Sequence, residues 1–244
     1  MELHELILIT LITLGASYIQ SVTGFGFGIF AMIFLPSLLI YTESNFISSV
    51  LSSITSLALV FVLRKKISWK NIIFPIIGSF FATYAAVYFI KSQKNETLTL
   101  FLGIALFILS VYFFFFSDKI KIKPTPLSGL IAGTVSGIMS GMFSIGGPPV
   151  VIYFMQSEDD SDSYLATISA YFVFSGMISI VTKAAAGFVT KNALEGLIVG
   201  LLGMFIGSFI GKLTREKTKP KMIKKAVYAV MAVSGIVNIV TSVI

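Results

Sequence analysis

Two short clusters hold the residues whose types and spacing could do chemistry. They are Gln20-Ser21-Val22-Thr23-Gly24-Phe25-Gly26-Phe27-Gly28 and Ser140-Gly141-Met142-Phe143-Ser144-Ile145-Gly146-Gly147-Pro148. Both combine hydroxyls with closely spaced glycines, and neither contains a charge. Glycine permits the φ > 0 conformations of a tight turn and lets a ligand approach the main chain. A helix that starts after such a turn presents N–H groups with no intrahelical partner, at the positive end of its dipole. That is chemistry for holding an anion without Lys or Arg.

Within these clusters the candidate binding residues are Gln20, Ser21, Thr23, Gly24, Phe25, Gly26, Gly28, Ser140, Gly141, Ser144, Gly146, Gly147 and Pro148. The hydroxyls can donate to an anion or back-bond to a helix carbonyl. Gln20 is an amide in an apolar run, costly unless paired. Proline at 148 suits a first helical turn, where no N–H donor is required. Phe25, Phe27 and Phe143 form a candidate gate.

Catalysis needs other residues. His4 is the only histidine, there is no cysteine, and no apolar run contains a pair of carboxylates. We therefore expect no enzyme activity, no catalytic residue, no metal and no cofactor. A cation transporter would usually carry Asp or Glu at membrane depth. Here Glu5, Glu43 and Glu195 fall near the ends of apolar runs, as does Lys183.

The elements that must position the clusters follow from composition. Of 244 residues, 56% are hydrophobic and 12% charged, with a mean hydropathy of +0.94. An ordinary soluble domain is about a quarter charged, so the chain reads as an all-α polytopic membrane protein in a lipid bilayer. A transmembrane barrel would alternate over ten-residue segments. The net charge of +7 sits between apolar runs, which reads as membrane topology and not as nucleic-acid binding.

Six charge-poor runs have ordinary spanning length: 46–63, 72–90, 98–116, 164–182, 193–211 and 226–244. Two are too long, 6–42 with 37 residues and 124–157 with 34. A 37-residue helix would be about 55 Å long against a hydrocarbon core of about 30 Å. Each long run must break, and each contains one glycine cluster.

Of 18 Lys and Arg, 14 lie in three segments, 64–70, 119–123 and 212–225. The positive-inside rule makes all three cytoplasmic. That holds only if both long runs are hairpins returning to the side where they start, which puts both termini outside and the acidic 157–162 loop inside. The fold expected is two inverted repeats of about five helices each, residues 1–118 and 119–244, in one integral membrane domain. A broken-helix hairpin opens each repeat, a recurrent transporter design. Aligning the halves at an offset near 120 adds Ser48, Ser56, Thr167 and Ser175 as second-rank binding residues. Gly133, Gly137, Gly141, Gly200, Gly203, Gly207 and Gly211 read as packing glycines.

With "SVTGFGFGIFAMIFLP" (21–36), "SGMFSIGGPPVVIYFM" (140–155) and a serine-rich span followed by "LRKKISWK" (63–70), the chain resembles the TauE/SafE sulfite exporter family of anion permeases. The pattern covers both halves, and the first motif departs from the usual glycine triplet by interposing Phe25 and Phe27. The resemblance implies a homodimer that handles sulfite or organosulfonates such as sulfoacetate. The function expected is secondary export of a small sulfur oxyanion across the cytoplasmic membrane. The alternative is a proton-coupled permease for another small organic or inorganic anion. A negative cell interior drives an anion outward by about 2.3 kcal/mol per charge per 100 mV, so uncoupled efflux is expected.

Overall fold

The computed structural model describes residues 2–115, 122–215 and 220–243. Among them are ten α-helices and no strand: α1 Leu3–Thr23, α2 Phe27–Phe34, α3 Tyr41–Leu63, α4 Trp69–Lys91, α5 Asn95–Phe115, α6 Pro126–Phe143, α7 Gly147–Ser157, α8 Ser161–Ala185, α9 Lys191–Thr214 and α10 Pro220–Val243. The boundary expected at 118/119 falls outside the described residues, as do Lys119, Lys121, Lys217 and Lys219. Lys221, Lys224 and Lys225 belong to α10 rather than to a loop. Seven helices are long and apolar enough to cross a membrane: α1, α3, α4, α5, α6, α8 and α9.

The helices outrun the charge-poor windows because polar residues cap them. Thr125 Oγ1 accepts from Ser128 N at 3.1 Å, with Pro126 in the first turn of α6. Asp160 Oδ1 accepts from the N–H groups of Asp162 and Ser163 at 2.9 and 3.1 Å. Thr190 Oγ1 accepts from Ala193 N at 3.1 Å. These contacts satisfy donors that every helix start leaves free.

Both long runs break at their glycine clusters. Gly24 (φ +84°) ends α1, and Gly26 (φ +105°) precedes α2. Ser144 (φ +56°) ends α6 and is the one non-glycine residue with positive φ among the described residues. Both runs also turn back. A Cβ on Gly129, near the start of α6, would stand 3.1 Å from the Tyr153 hydroxyl near the end of α7. In the first run, Leu39 and Ile9 lie together around Gly196 of α9.

Polar contacts sort the loops into two faces. On one, Lys66 Nζ pairs with Asp162 at 2.9 Å, and Arg215 pairs with the same carboxylate at 3.2 Å. Ser68 Oγ and Asn71 Nδ2 donate to Glu158 at 2.6 and 2.8 Å. The acidic loop therefore shares a face with Lys66 and Arg215 and pairs with both. On the other face, Tyr41 N donates to Asn95 Oδ1 at 2.9 Å, and Thr190 donates to Glu43.

The main packing pairs are α1 with α9, α4 with α6, α5 with α10 and α3 with α8. Exchanging the halves of the chain maps this set onto itself. Glycines allow the close approaches. A Cβ on Gly207 would overlap the Leu14 carbonyl of α1, and one on Gly133 the Pro75 carbonyl of α4. The outside is apolar, with Phe61, Phe81, Ile198 and Phe209 exposed, while Thr13, Ser17, Gln20, Asn45, Ser56 and Lys183 are buried. That inversion of the usual soluble pattern suits a lipid surround.

Candidate functional site

The two breaks meet. Gly28 of α2 packs so closely on the Ser144 carbonyl that a Cβ there would overlap it. A Cβ on Gly147 would lie 3.3 Å from Cβ of Phe25. Between the tips and helices α3 and α8 lies a cavity of about 40 Å³. One water needs roughly 10–15 Å³ by this measure, so there is room for a few waters or one small oxyanion.

The lining is rich in hydroxyls, several of which already donate within the protein: Ser49 to the Asn45 carbonyl, Ser52 to Gln20 and Ser53 to the Ser49 carbonyl. From α3 come Ser49, Ser52 and Ser53, from α8 Ser175, Gly176 and Ser179, and from the tips Gly26, Gly28, Ser140, Ser144, Gly146 and Gly147. Among the described residues the main-chain N–H groups of Gly28, Gly146 and Gly147 have no acceptor. They lie at the starts of α2 and α7, where the helix dipole is positive. Pro148 and Pro149 have no N–H, so α7 offers donors only at the turn itself. Ser179 Oγ is buried and has no partner.

Several contacts hold this lining. Gln20 Nε2 donates to the Ser52 carbonyl at 2.9 Å and to Ser56 Oγ at 2.7 Å, while Ser52 Oγ donates back to Oε1 at 2.9 Å. The amide predicted to need partners is thus fully engaged. Ser136 Oγ donates to the Gly146 carbonyl at 2.5 Å and accepts from Tyr171 at 2.9 Å. Asn45 Nδ2 and Tyr41 OH both donate to the Met142 carbonyl, at 2.6 and 2.7 Å. These bonds fix the second tip against the start of α3.

The structure places Lys183 in the last turn of α8, near the end of that span as expected, and inside the protein. Lys183 is fully buried, and its Nζ donates to Ser49 Oγ at 2.5 Å, Ser144 Oγ at 3.0 Å and the Ser140 carbonyl at 3.2 Å. All three acceptors belong to residues that line the cavity. The α8 helix continues past its apolar stretch, and the second tip reaches to meet it.

Of the predicted residues, Gln20, Phe25, Gly26, Gly28, Ser140, Ser144, Gly146, Gly147 and Ser175 line the cavity. The others lie around it. Ser21 sits under Gly211 of α9, and Gly24 packs on Leu165. Thr23 Oγ1 donates to the Phe25 carbonyl at 2.6 Å, bracing the first turn. Gly141 packs on Thr83 and Ala86 of α4. Pro148 is buried in α7 behind the tip. Ser56 reaches the site through Gln20, Thr167 accepts from Ser68 N at 3.0 Å, and Ser48 Oγ is buried without a partner. Of the three candidate gate rings, Phe25 lines the cavity, joined by Phe172, while Phe27 and Phe143 do not. Among the described residues no group of His, Cys, Asp and Glu could hold a metal.

Comparison with the curated proteins and with the solved structures finds no match. The family described as sulfite exporter TauE/SafE matches residues 9–237, which includes both tips and every lining residue. Its members are membrane exporters of sulfur anions. The chain is a multi-pass membrane protein and belongs to the TauE/SafE sulfite exporter family.

Proposed function

We propose that this protein exports a small sulfur oxyanion, sulfite above all, across the cytoplasmic membrane, and that the anion occupies the cavity between the two tips. One observation carries the reading: Gly28, Gly146 and Gly147 at two helix starts and the unpartnered hydroxyl of Ser179 border one small space, with no carboxylate among the lining residues. Such groups replace the hydration of an oxyanion.

The transport cycle we propose is alternating access between two inverted repeats. Its support is the helix pairing, which is unchanged when the halves are exchanged, and the occurrence of one broken hairpin in each half. The face carrying Lys66 and Arg215 is assigned to the cytoplasm by the positive-inside rule. Efflux then runs down the membrane potential, at about 2.3 kcal/mol per charge per 100 mV.

The test is flux of a panel of anions in liposomes with the potential clamped by potassium and valinomycin. Sulfite efflux that reverses with the sign of the potential is the expected result. The second reading, a proton-coupled permease for another small anion, draws on Lys183, an ionisable group in contact with the cavity wall. Flux that ignores the potential and follows an imposed pH gradient selects that reading instead.

A further inference from the structure

Lys183 is an ionisable amine buried among neutral dipoles. Its three N–H bonds are taken by two hydroxyls and one carbonyl. The only ion pairs found among the described residues lie elsewhere, and none involves Lys183. The buried Glu43 of α3 is engaged by Thr190. A buried ammonium with no counter-charge is costly, and protein interiors normally pair it. Two of its acceptors, Ser49 Oγ and Ser144 Oγ, stand 2.7 Å apart on the cavity wall. An anion in that cavity would therefore be separated from Nζ by no more than the serine hydroxyls themselves. Nearby, Ser179 Oγ is also buried and unpartnered, one helical turn before Lys183 on α8.

We propose that Lys183 supplies the fixed positive charge opposite the transported anion, making it a substrate-binding residue beside the neutral donors of the tips. This rests on reading the cavity as the anion site. The backbone N–H groups and serines recognise the oxygens, and the ammonium supplies the charge. With the site empty, Ser49, Ser144 and the Ser140 carbonyl hold the ammonium in place of the anion. Arrival of the anion exchanges some of these bonds for a direct ion pair. The linkage also ties α8 to the second tip and to α3, so occupancy is felt by elements from both halves.

The test compares wild type, Lys183→Met, Lys183→Arg and Lys183→Cys, each checked for a single monodisperse peak after purification. The readouts are KM for sulfite flux in liposomes and the rise in melting temperature that sulfite causes in detergent. We expect Lys183→Met to raise KM about tenfold or more, the loss of one charged contact, and to abolish the sulfite-induced rise. The native chain has no cysteine, so Lys183→Cys can be alkylated at that position alone. Aminoethylation, which rebuilds an ammonium, should restore the melting response, and a neutral hydroxyethyl adduct should not. Wild-type KM and melting response in Lys183→Met, or equal rescue by both adducts, overturns the proposal. So does misfolding of every neutral variant together with a folded Lys183→Arg that no longer responds to sulfite, which would make Lys183 a structural strut. Absence of sulfite flux and of a melting response in wild type would instead refute the anion-site reading itself.

Discussion

Gly28 and Ser144 come from opposite halves of the chain, yet the backbone of one rests on the carbonyl of the other. No side chain fits between them. A main-chain carbonyl cannot swing aside as a side chain can, so Gly28→Ala should part the two tips. Overpacking of this kind costs about 1–3 kcal/mol. We expect a lower melting temperature and loss of most sulfite flux. Wild-type values for both would show that the contact is dispensable.

Ser179→Ala should move stability and binding in opposite directions. The buried hydroxyl has no partner, and an unsatisfied group of this kind costs about 1–3 kcal/mol. Removing it should stabilise the anion-free protein slightly. If the hydroxyl serves the anion, the sulfite KM should rise about three- to tenfold, from loss of one hydrogen bond. An unchanged KM would exclude Ser179 from the binding set.

Asp160 makes a pH-dependent cap at the membrane edge. The Ser163 hydroxyl, then the Ser163 N–H, hold its carboxyl down from 3.8 to about 2, with Lys66 assisting. A depressed acid stabilises the fold above its unfolded value and loses that contribution as pH falls through the folded value. The effect should therefore be complete above pH 3.8 and fade towards pH 2. Asp160→Asn keeps a capping side chain without the charge. The gap in melting temperature between the two proteins should close across that window, and a gap independent of pH would contradict the assignment.

Sidedness can be read by single-cysteine labelling. Position 43 is a poor probe, because Glu43 is buried against Thr190. Ile40 is 52% exposed on the face where α1 begins. A cysteine at 40 should react with an impermeant thiol reagent from outside, and one at Asp159 only from the cytoplasm. The reverse pattern would invert the proposed topology and with it the direction of export.

The breaks in the two long runs were legible because length alone forbids an unbroken helix across 37 residues. The glycines then marked where each break falls. Matching the halves reaches one member of the serine face of α3, Ser56, and one residue beside it, Ser48. Ser49, Ser52, Ser53 and Ser56 share one face at i, i+3, i+4 and i+7, and that face meets the cavity and Gln20. The same spacing runs along α8 through Phe172, Ser175, Gly176, Ser179 and Lys183. Lys183 was therefore readable in principle as the next member of a polar stripe. Its place near the end of an apolar run hides this, because position along a helix does not tell which neighbours cover it. What sequence does not carry is how far the second tip extends to meet it.

The pairing of α1 with α9 has a consequence for biogenesis. Synthesis runs from the N-terminus, and 167 residues separate the end of α1 at Thr23 from the start of α9 at Lys191. At roughly 5–20 residues per second, α1 waits on the order of 10–30 s for the helix that covers its Thr10, Thr13 and Ser17. In the folded protein two of these hydroxyls bond carbonyls within α1 itself, Thr10 to Leu6 and Thr13 to Ile9, each at 2.9 Å, contacts that need no α9. The helix can therefore rest in lipid, or beside the insertion machinery, without stranded donors while its late partner is still on the ribosome.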